Sequence, residues 1–219
     1  MDRLSLRCRA AVSACGLAIG IWLGAPRAFA ETVDPTYGRI EGDVSIVPGV
    51  GVVAAPRGAR FAAEFRVRYL ESAGLFASYE DGPLLGWGGE PQRVVACGVE
   101  VRPLFVVRWL EGWELRRALY DLAVDSIGLE VGAAFTDPAG ASFGRNPGLQ
   151  VGLGFGVPLR GAASGPWIGA HFGIRWSDAS LELGRASGAD DRSLYLAVVF
   201  GYEQMFRAHV VDVGDRAPE

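Results

Sequence analysis

The sequence predicts an all-β fold, an eight-stranded antiparallel up-and-down β-barrel with a short helical insert. Three observations lead to this prediction. Half of the 219 residues are apolar, 21% are charged and 31 are Gly, which excludes a disordered chain, a coiled coil and a disulfide scaffold. The one long apolar run lies at the N-terminus, so the remaining hydropathy is spread over shorter elements. Those elements alternate between apolar and polar residues with period two, as strands do.

The first thirty residues predict a secretory signal peptide that is removed by cleavage. Three arginines within residues 1–9 precede an uncharged, mostly apolar stretch over residues 10–25, and Ala28-Phe29-Ala30 has the small residues that a signal peptidase reads. Cleavage after Ala30 separates the signal from a barrel region, 31–206, and a short C-terminal tail, 207–219. An uncleaved membrane anchor is the alternative, but the run is a little short for a span.

Cleavage removes two of the three cysteines and leaves 17 Arg against 24 acidic residues. Cys97 then remains as a single cysteine, so no intrachain disulfide can form. An exported chain without a disulfide needs a large core or a closed hydrogen-bonded barrel. Because the basic residues do not exceed the acidic ones, we expect no nucleic-acid partner. One Cys and two His at unrelated spacings predict no metal site, and nothing in the sequence requires a cofactor.

Four strands are predicted in the first half of the chain, at 40–52, 61–69, 75–80 and 95–102. In these segments, apolar side chains occupy alternate positions, and mostly small or charged side chains occupy the positions between them. The third run is weaker, because Phe76 lies opposite Leu75, Ala77 and Tyr79. The fourth strand could continue through Phe105, Val107 and Trp109, which keep the same alternation.

Four further strands are predicted in the second half, at 127–135, 149–159, 168–176 and 194–206. Most of the eight reach the roughly nine to eleven residues that a tilted strand needs to cross a bilayer. Gly152, Gly154 and Gly156 lie within a strand and precede no helix, so they predict no nucleotide-binding loop. We expect these glycines to let large side chains pass close to the barrel wall.

The composition of the two strand faces indicates which face is inside. The polar face consists mostly of Gly, Ala and Ser with spaced Glu and Arg, which suits a narrow, filled lumen, whereas the apolar face carries Phe side chains that suit lipid. A soluble barrel, the alternative, would carry many more long charged side chains on its exterior. The predicted lumen charges, which we expect to form an ion-pair network, are Glu41, Asp43, Glu64, Arg66, Arg68, Glu100, Arg102, Glu130, Arg175 and Glu203. The predicted membrane-interface aromatics are Tyr37, Tyr69, Tyr79, Trp109, Trp167, Trp176 and Tyr202.

The last strand alternates apolar residues and stops on Phe206. With this feature and the eight alternating segments, residues 37–206 resemble the small eight-stranded outer-membrane β-barrel proteins of Gram-negative bacteria. Residues 120–132 also look like a stretch of uncharacterised barrels of this kind. The resemblance implies an outer-membrane location, contact with outer-membrane lipid and insertion by the barrel-assembly machinery. No open pore is expected, because eight strands enclose a space that side chains can fill. The tail at 207–219 departs from the pattern, because the terminal strand usually closes such chains.

The resemblance also implies a topology in which the N-terminus is periplasmic. The links after odd strands then face outward and hold most of the Pro, Gly, Asp and Asn, while the links after even strands are short. The exception is 110–125, where Leu115, Leu119 and Leu122 repeat at helical spacing. We expect a short amphipathic helix here, at the membrane edge or capping the barrel; an ordinary long turn is the alternative.

The chemistry of the chain favours a structural or interaction barrel that acts through its loops and has no enzyme activity. His171 is the one His within the predicted strands and faces the lumen, with Ser177 and Asp178 beyond it. An outer-membrane lipid-modifying enzyme centred on His171 is therefore an alternative function. A soluble exported lipid-binding barrel and a narrow solute channel are two others. Cys97 is expected on the apolar face as a small hydrophobic side chain.

Overall fold

Eight antiparallel strands form a closed barrel in the computed structural model of the protein, which describes residues 37–39, 42–56, 58–86, 93–113, 115, 117–137, 143–144, 146–181 and 192–208. The strands are β1 (Val44–Ala55), β2 (Gly58–Tyr69), β3 (Ala73–Gly86), β4 (Arg93–Val101), β5 (Gly128–Asp137), β6 (Gly148–Pro158), β7 (Gly165–Trp176) and β8 (Arg192–Phe206). Each strand pairs with the next in the chain, and β1 pairs with β8. The predicted eight-stranded antiparallel up-and-down barrel is thus confirmed.

The strand bounds differ from the prediction in ways that matter for the lumen. β2 begins at Gly58 and so includes Arg60, and β3 extends from Ala73 to Gly86. β1 begins at Val44, and Glu41 lies outside the described residues, as do the predicted signal peptide and most of the tail.

The predicted continuation of the fourth strand through residues 105–109 is wrong, because the chain turns into a helix there. Helix α1 spans Pro103–Glu111, with the proline in its first turn and Gly112 in the left-handed conformation (φ 67°) at its end. The N–H of Trp113 donates to the carbonyl of Arg108 at 2.9 Å, which closes the helix as a Schellman motif does. Pro at the start and Gly at the end are the usual signals of a helix.

A second helix, α2 (Ala118–Asp125), completes the insert. The insert is therefore helical as expected, but it consists of two helices and starts at Pro103 rather than at Leu110. A single turn, α3 (Asp178–Leu181), follows β7. Within the described ranges, no helix is long and apolar enough to cross a membrane.

The two ends of the barrel differ. We call the end that carries α1, α2, the β2–β3 turn and residues 159–164 the helix end, and the opposite end the loop end. At the helix end, the β2–β3 turn places Leu70 (φ 47°) and Glu71 (φ 52°) in the left-handed region, and Ser72 N–H donates to the Tyr69 carbonyl at 3.1 Å. Neither residue is Gly or Asn, which normally occupy such positions in tight hairpins.

The two faces of the barrel wall also differ. Large apolar side chains on all eight strands are exposed on the outer face, among them Val50, Phe65, Leu75, Val99, Leu129, Phe155, Phe172 and Leu196. The inner face is buried and mostly polar or small. It also holds two apolar clusters, one of which consists of Val53, Ala62, Tyr195, Ala197 and Val199, and the other of Phe76, Ala96 and Ala134.

Candidate functional site: the charged lumen and its cap

Arg66, on β2, is the centre of the middle layer of the lumen. Its guanidinium pairs with three glutamates, Glu64, Glu100 and Glu130, and its Nη1 lies 2.7 Å from Glu130 Oε1. The Phe76 ring lies against the same guanidinium, with its centroid 5.4 Å from Cζ. Arg66 is 2% exposed, so its charge depends on these carboxylates for compensation.

His171, on β7, belongs to this middle layer. Its Nδ1 lies 2.8 Å from Glu130 Oε1 and 3.0 Å from Arg66 Nη2, and its Nε2 lies 3.6 Å from Glu64 Oε1. Because Nδ1 either donates or accepts, it bonds to the carboxylate or to the guanidinium, and not to both. The imidazole is thus held by the ion pairs around it.

The layer towards the helix end is built from Arg68 and Arg102. Arg68 Nη1 lies 3.0 Å from Glu203 Oε1, and both arginines bond to Glu100 Oε1, at 3.1 Å and 2.6 Å. Arg102 Nη1 also lies 2.8 Å from Glu71 Oε2, in the strained β2–β3 turn. Burial raises the pKa of Glu71, but Arg102 and Arg68 outweigh it and lower that pKa below its ordinary value. The pair therefore fixes the turn to the inner wall.

The layer towards the loop end is centred on Glu80, which is 1% exposed. Arg60 Nε and Arg175 Nη1 lie 2.9 Å and 3.0 Å from Glu80 Oε2. Arg175 also donates from Nε to Gln150 Oε1 at 2.8 Å, and its Cζ lies 4.2 Å from the centroid of the Tyr195 ring. Two cations thus share one carboxylate.

Side chains fill the space between these layers. The cavity beside His171 and Arg68 has a volume of ≈ 40 Å³, and the cavity between His171 and Arg175 has ≈ 20 Å³. Volumes of this size hold on the order of one or two water molecules. Close packing against the wall needs glycine, as expected: a Cβ at Gly154 would lie 2.8 Å from Glu130 Oε1 and 3.0 Å from His171 Nδ1.

A second polar cluster caps the helix end. Arg108 of α1 bonds to Asp121 and Asp125 of α2, with Nη1 2.6 Å from Asp125 Oδ1, and Arg39 pairs with Asp125 as well. The Tyr37 hydroxyl donates to Asp121 Oδ2 at 3.0 Å. We call these five residues the cap cluster. It joins the chain that enters β1 to both helices.

Asp121 is fully buried and has the most partners in the cap cluster. The N–H groups of Leu115 and Arg117 donate to its carboxylate at 2.9 Å and 3.1 Å. Burial raises the pKa of Asp121, but these two N–H groups and the Arg108 guanidinium outweigh it and lower that pKa below its ordinary value. Asp121 is therefore held as a carboxylate.

Most of the predicted lumen charges lie in the lumen. The structure brings together Glu64, Arg66, Arg68, Glu100, Arg102, Glu130, Arg175 and Glu203. Asp43 instead lies at the helix end, where its Oδ1 accepts the N–H of Ala208 at 2.6 Å. Glu41 lies outside the described residues.

Several lumen and cap residues were missed by the sequence reasoning. They are Arg39, Arg60, Glu71, Glu80, Arg108, Asp121, Asp125 and Gln150. Glu80 and Gln150 lie on the inward faces that were already identified, and Arg60 extends the inward face of β2 by one step. Alternation alone could have found these three, whereas the cap residues follow no strand period.

The predicted membrane-interface aromatics lie in different parts of the molecule. Tyr69 and Tyr202 lie on outward-facing strand positions near the helix end, and Tyr79 and Trp176 near the loop end. For two others the prediction is wrong: Trp167 is buried in the barrel, where its Nε1–H donates to the Ala163 carbonyl at 2.8 Å, and Tyr37 packs against Trp167 and its neighbours. Trp109 lies on α1 instead of on a strand and is 48% exposed.

No constellation for nucleophilic catalysis surrounds His171 among the described residues. Ser177 lies six residues after His171, just beyond the end of β7. At the rise per residue of a β-strand, this separation is roughly 20 Å. Ser126 lines the same cavity as His171, but its hydroxyl bonds to the backbone of Ala123 and Gly156. Within the described ranges, no three His, Cys, Asp or Glu side chains are grouped so that they could hold a metal ion.

Comparison with known proteins adds a distant structural likeness. No protein-family model matches the sequence, and no curated protein matches it either. Among solved structures, the chain is similar to Ail, the attachment invasion locus protein of Yersinia pestis, in a complex with the heparin analogue sucrose octasulfate. The match has 12% sequence identity and a TM-score of 0.33, and it covers 74% of this chain and 96% of Ail. A likeness this distant identifies neither a family nor a ligand.

Proposed function

We propose that the protein is an outer-membrane β-barrel that spans the bilayer and acts through its loops in a structural or interaction role. The observation that carries this proposal is the inversion of the two barrel faces: charged side chains are buried and large apolar side chains are exposed around all eight strands. In water, such a belt would far exceed the apolar patches that monomeric proteins expose. In lipid, burial of each large side chain is worth about 1.5–3 kcal/mol.

Closure supports the same proposal. Because β1 pairs with β8, the barrel has no open sheet edge. In a bilayer, where no water is present to satisfy exposed backbone groups, closed barrels and helices are the structures that can span. The outward-facing tyrosines and Trp176 near the two ends of the strands fit the positions of interfacial aromatics.

The lumen argues against a soluble lipid-binding barrel and against a channel. A lipid carrier needs an apolar interior, and ligand pockets commonly measure about 300–1,000 Å³. Here the interior holds three layers of ion pairs and cavities of ≈ 40 Å³ and ≈ 20 Å³. Eight strands enclose a space that side chains can fill, so we expect no measurable conductance in planar bilayers.

The lipid-modifying enzyme remains the weaker alternative, since it rests on His171 alone. The ring nitrogens of His171 face Glu130, Arg66 and Glu64, and the hydroxyl of Ser126, which lines the same cavity, bonds to backbone groups. We expect the variant His171→Gln to leave lipid A unchanged when outer membranes with and without it are compared by mass spectrometry. A change in acyl chains would instead establish the enzyme.

The membrane proposal is tested first by heating. We expect the protein in the outer-membrane fraction to migrate faster on a denaturing gel when it is unboiled than when it is boiled, because a closed barrel resists detergent unfolding. Recovery in the soluble periplasm without a mobility shift would contradict the proposal.

Cys97 provides a sharper test. It lies on the outer face of β4, in register with Ala77 and Ala133, and is exposed in the isolated chain. In intact outer membranes we expect it to resist a charged maleimide and to react with an apolar one. The matched control is Arg192→Cys in a Cys97→Ser background, since Arg192 is exposed at the loop end; this control should react with both reagents. Equal reaction of Cys97 with both would place that face in water.

A further inference from the structure

The helices α1 and α2 have one buried side and one exposed apolar side. Their inner side faces the barrel mouth and contains Phe105, Arg108, Asp121, Leu122 and Asp125, which are buried. The outer side of the two helices and of the link between them, which we call the outer apolar face, is 36–70% exposed and consists of Val106, Val107, Trp109, Leu110, Trp113, Leu115, Leu119 and Tyr120. The cap cluster accounts for the inner side only, so the outer apolar face requires a separate explanation.

The outer apolar face is continuous with the apolar belt of the barrel. Val101, at the end of β4, is 46% exposed on the outer wall and lies in register with Leu129, which is 53% exposed. Helix α1 begins two residues later at Pro103. The intervening Arg102 is buried in the lumen, so along the chain the outer wall passes from Val101 to α1 without an exposed charged side chain between them.

The composition of the outer apolar face suits the boundary between headgroups and acyl chains. Trp109, Trp113 and Tyr120 combine apolar rings with a polar group, which is the property that concentrates such residues at membrane interfaces. Arg117 and Arg160 are exposed at the helix end, where Gly161 packs against Ala118, and Glu111 is exposed at the end of α1. Exposed cations near the surface favour anionic headgroups.

We propose that α1 and α2 lie in the membrane interface at the helix end, with the outer apolar face inserted among lipids that carry anionic headgroups. This proposal rests on the proposed membrane function, because the belt that it extends must itself be in lipid. Tyr69 and Tyr202 occupy outward-facing strand positions near the same end, and Tyr69 is level with Val101, since both are in register with Ala73. An interfacial helix inserts its apolar face about 5–10 Å deep into the boundary between headgroups and acyl chains. The outer apolar face would therefore anchor one rim of the barrel in the membrane, while the inner side of the helices closes the barrel mouth.

The experiment compares the depths of two labels in the mature full-length chain, refolded into phosphatidylethanolamine–phosphatidylglycerol vesicles. One label is attached to the native Cys97, in the middle of the wall; the other is attached to Leu110→Cys in a Cys97→Ala background. Each fluorophore is quenched by lipids that carry a nitroxide either near the headgroup or near the end of the acyl chain. Arg192→Cys in the same background is the aqueous control. Heat-modifiability on gels shows that each variant has folded.

We expect quenching of the label at position 110 to be at least about two-fold stronger by the shallow nitroxide than by the deep one, and the label at position 97 to show the reverse order. If the label at 97 is quenched and the label at 110 is not, the inserted helices are ruled out while the membrane barrel stands; a face covered by a protein partner would give this result. If the label at 97 is not quenched, the membrane barrel itself fails, and the interfacial helices fail with it.

Discussion

The lumen and the cap use the same chemistry in two different ways. In both regions, buried Arg side chains pair with carboxylates. The lumen pairs lie along strands of the closed, hydrogen-bonded barrel, whereas the cap pairs join two short helices to the chain that enters β1. We therefore expect the removal of a lumen charge to affect the whole barrel and the removal of a cap charge to affect one end. The stabilising effect of a buried ion pair depends on how many elements the pair connects.

The largest effect should come from Arg66→Met, which leaves Glu64, Glu100 and Glu130 without their shared cation. Breaking a buried ion pair by removing one partner costs about 3–5 kcal/mol. We expect the urea midpoint of the barrel in vesicles to fall accordingly. The control is Arg192→Met, since Arg192 is exposed at the loop end; this variant should change the midpoint little. Equal effects from both variants would contradict the importance of burial.

A smaller and more local effect is expected from Asp121→Ala in the cap cluster. The change leaves Arg108 with one carboxylate partner and frees the N–H groups of Leu115 and Arg117. Loss of such buried partners costs about 1–3 kcal/mol. We expect faster amide exchange in α2 and unchanged exchange in the strands. Faster exchange throughout the barrel would mean that the cap and the lumen open together.

Acid should also distinguish the cap from the barrel wall. A carboxyl whose pKa is lowered in the folded state contributes stability above its unfolded pKa and loses it as the pH falls through the folded pKa. The lowered pKa of Asp121 therefore predicts that α2 loses protection below about pH 4, the ordinary range for Asp. Asp121→Asn should remove this dependence, as measured by amide exchange in α2 across pH 2–7. If α2 of the Asn variant still loses protection in acid, another titrating group is responsible for the pH dependence.

The smallest effect concerns the β2–β3 turn, where a lumen ion pair fixes a strained backbone. Leu70 has a φ of 47°, which costs roughly 1–2 kcal/mol for a residue with a Cβ. We expect Leu70→Gly to raise the urea midpoint slightly or leave it unchanged, because the relief of strain offsets the greater freedom of Gly in the unfolded chain. Leu70→Ala, which keeps the Cβ, should lower the midpoint relative to Leu70→Gly. The opposite order would show that contacts of the Leu70 side chain outweigh the backbone strain.

The sequence by itself determined the barrel and the orientation of its wall. Alternation fixes which side chains share a face, because successive side chains of a strand point in opposite directions. Eight such segments predict an eight-stranded barrel, and a single cysteine after the predicted cleavage excludes an intrachain disulfide. The same two-residue alternation places Arg66, Glu100, Glu130 and Arg175 on inward positions.

The tertiary structure alone decided which of these residues meet and where the period ends. Partners such as Arg66 and Glu130, 64 positions apart, are joined by the stagger of the closed sheet, which no local pattern encodes. At Phe105, Val107 and Trp109 the alternation continued through a helix, because Pro103 and Gly112 set the backbone while alternate apolar residues fit either element. Trp167 shares the inward face of β7 with His171 and Arg175, and only the folded structure packs Leu122 of α2 and Ala163 against it.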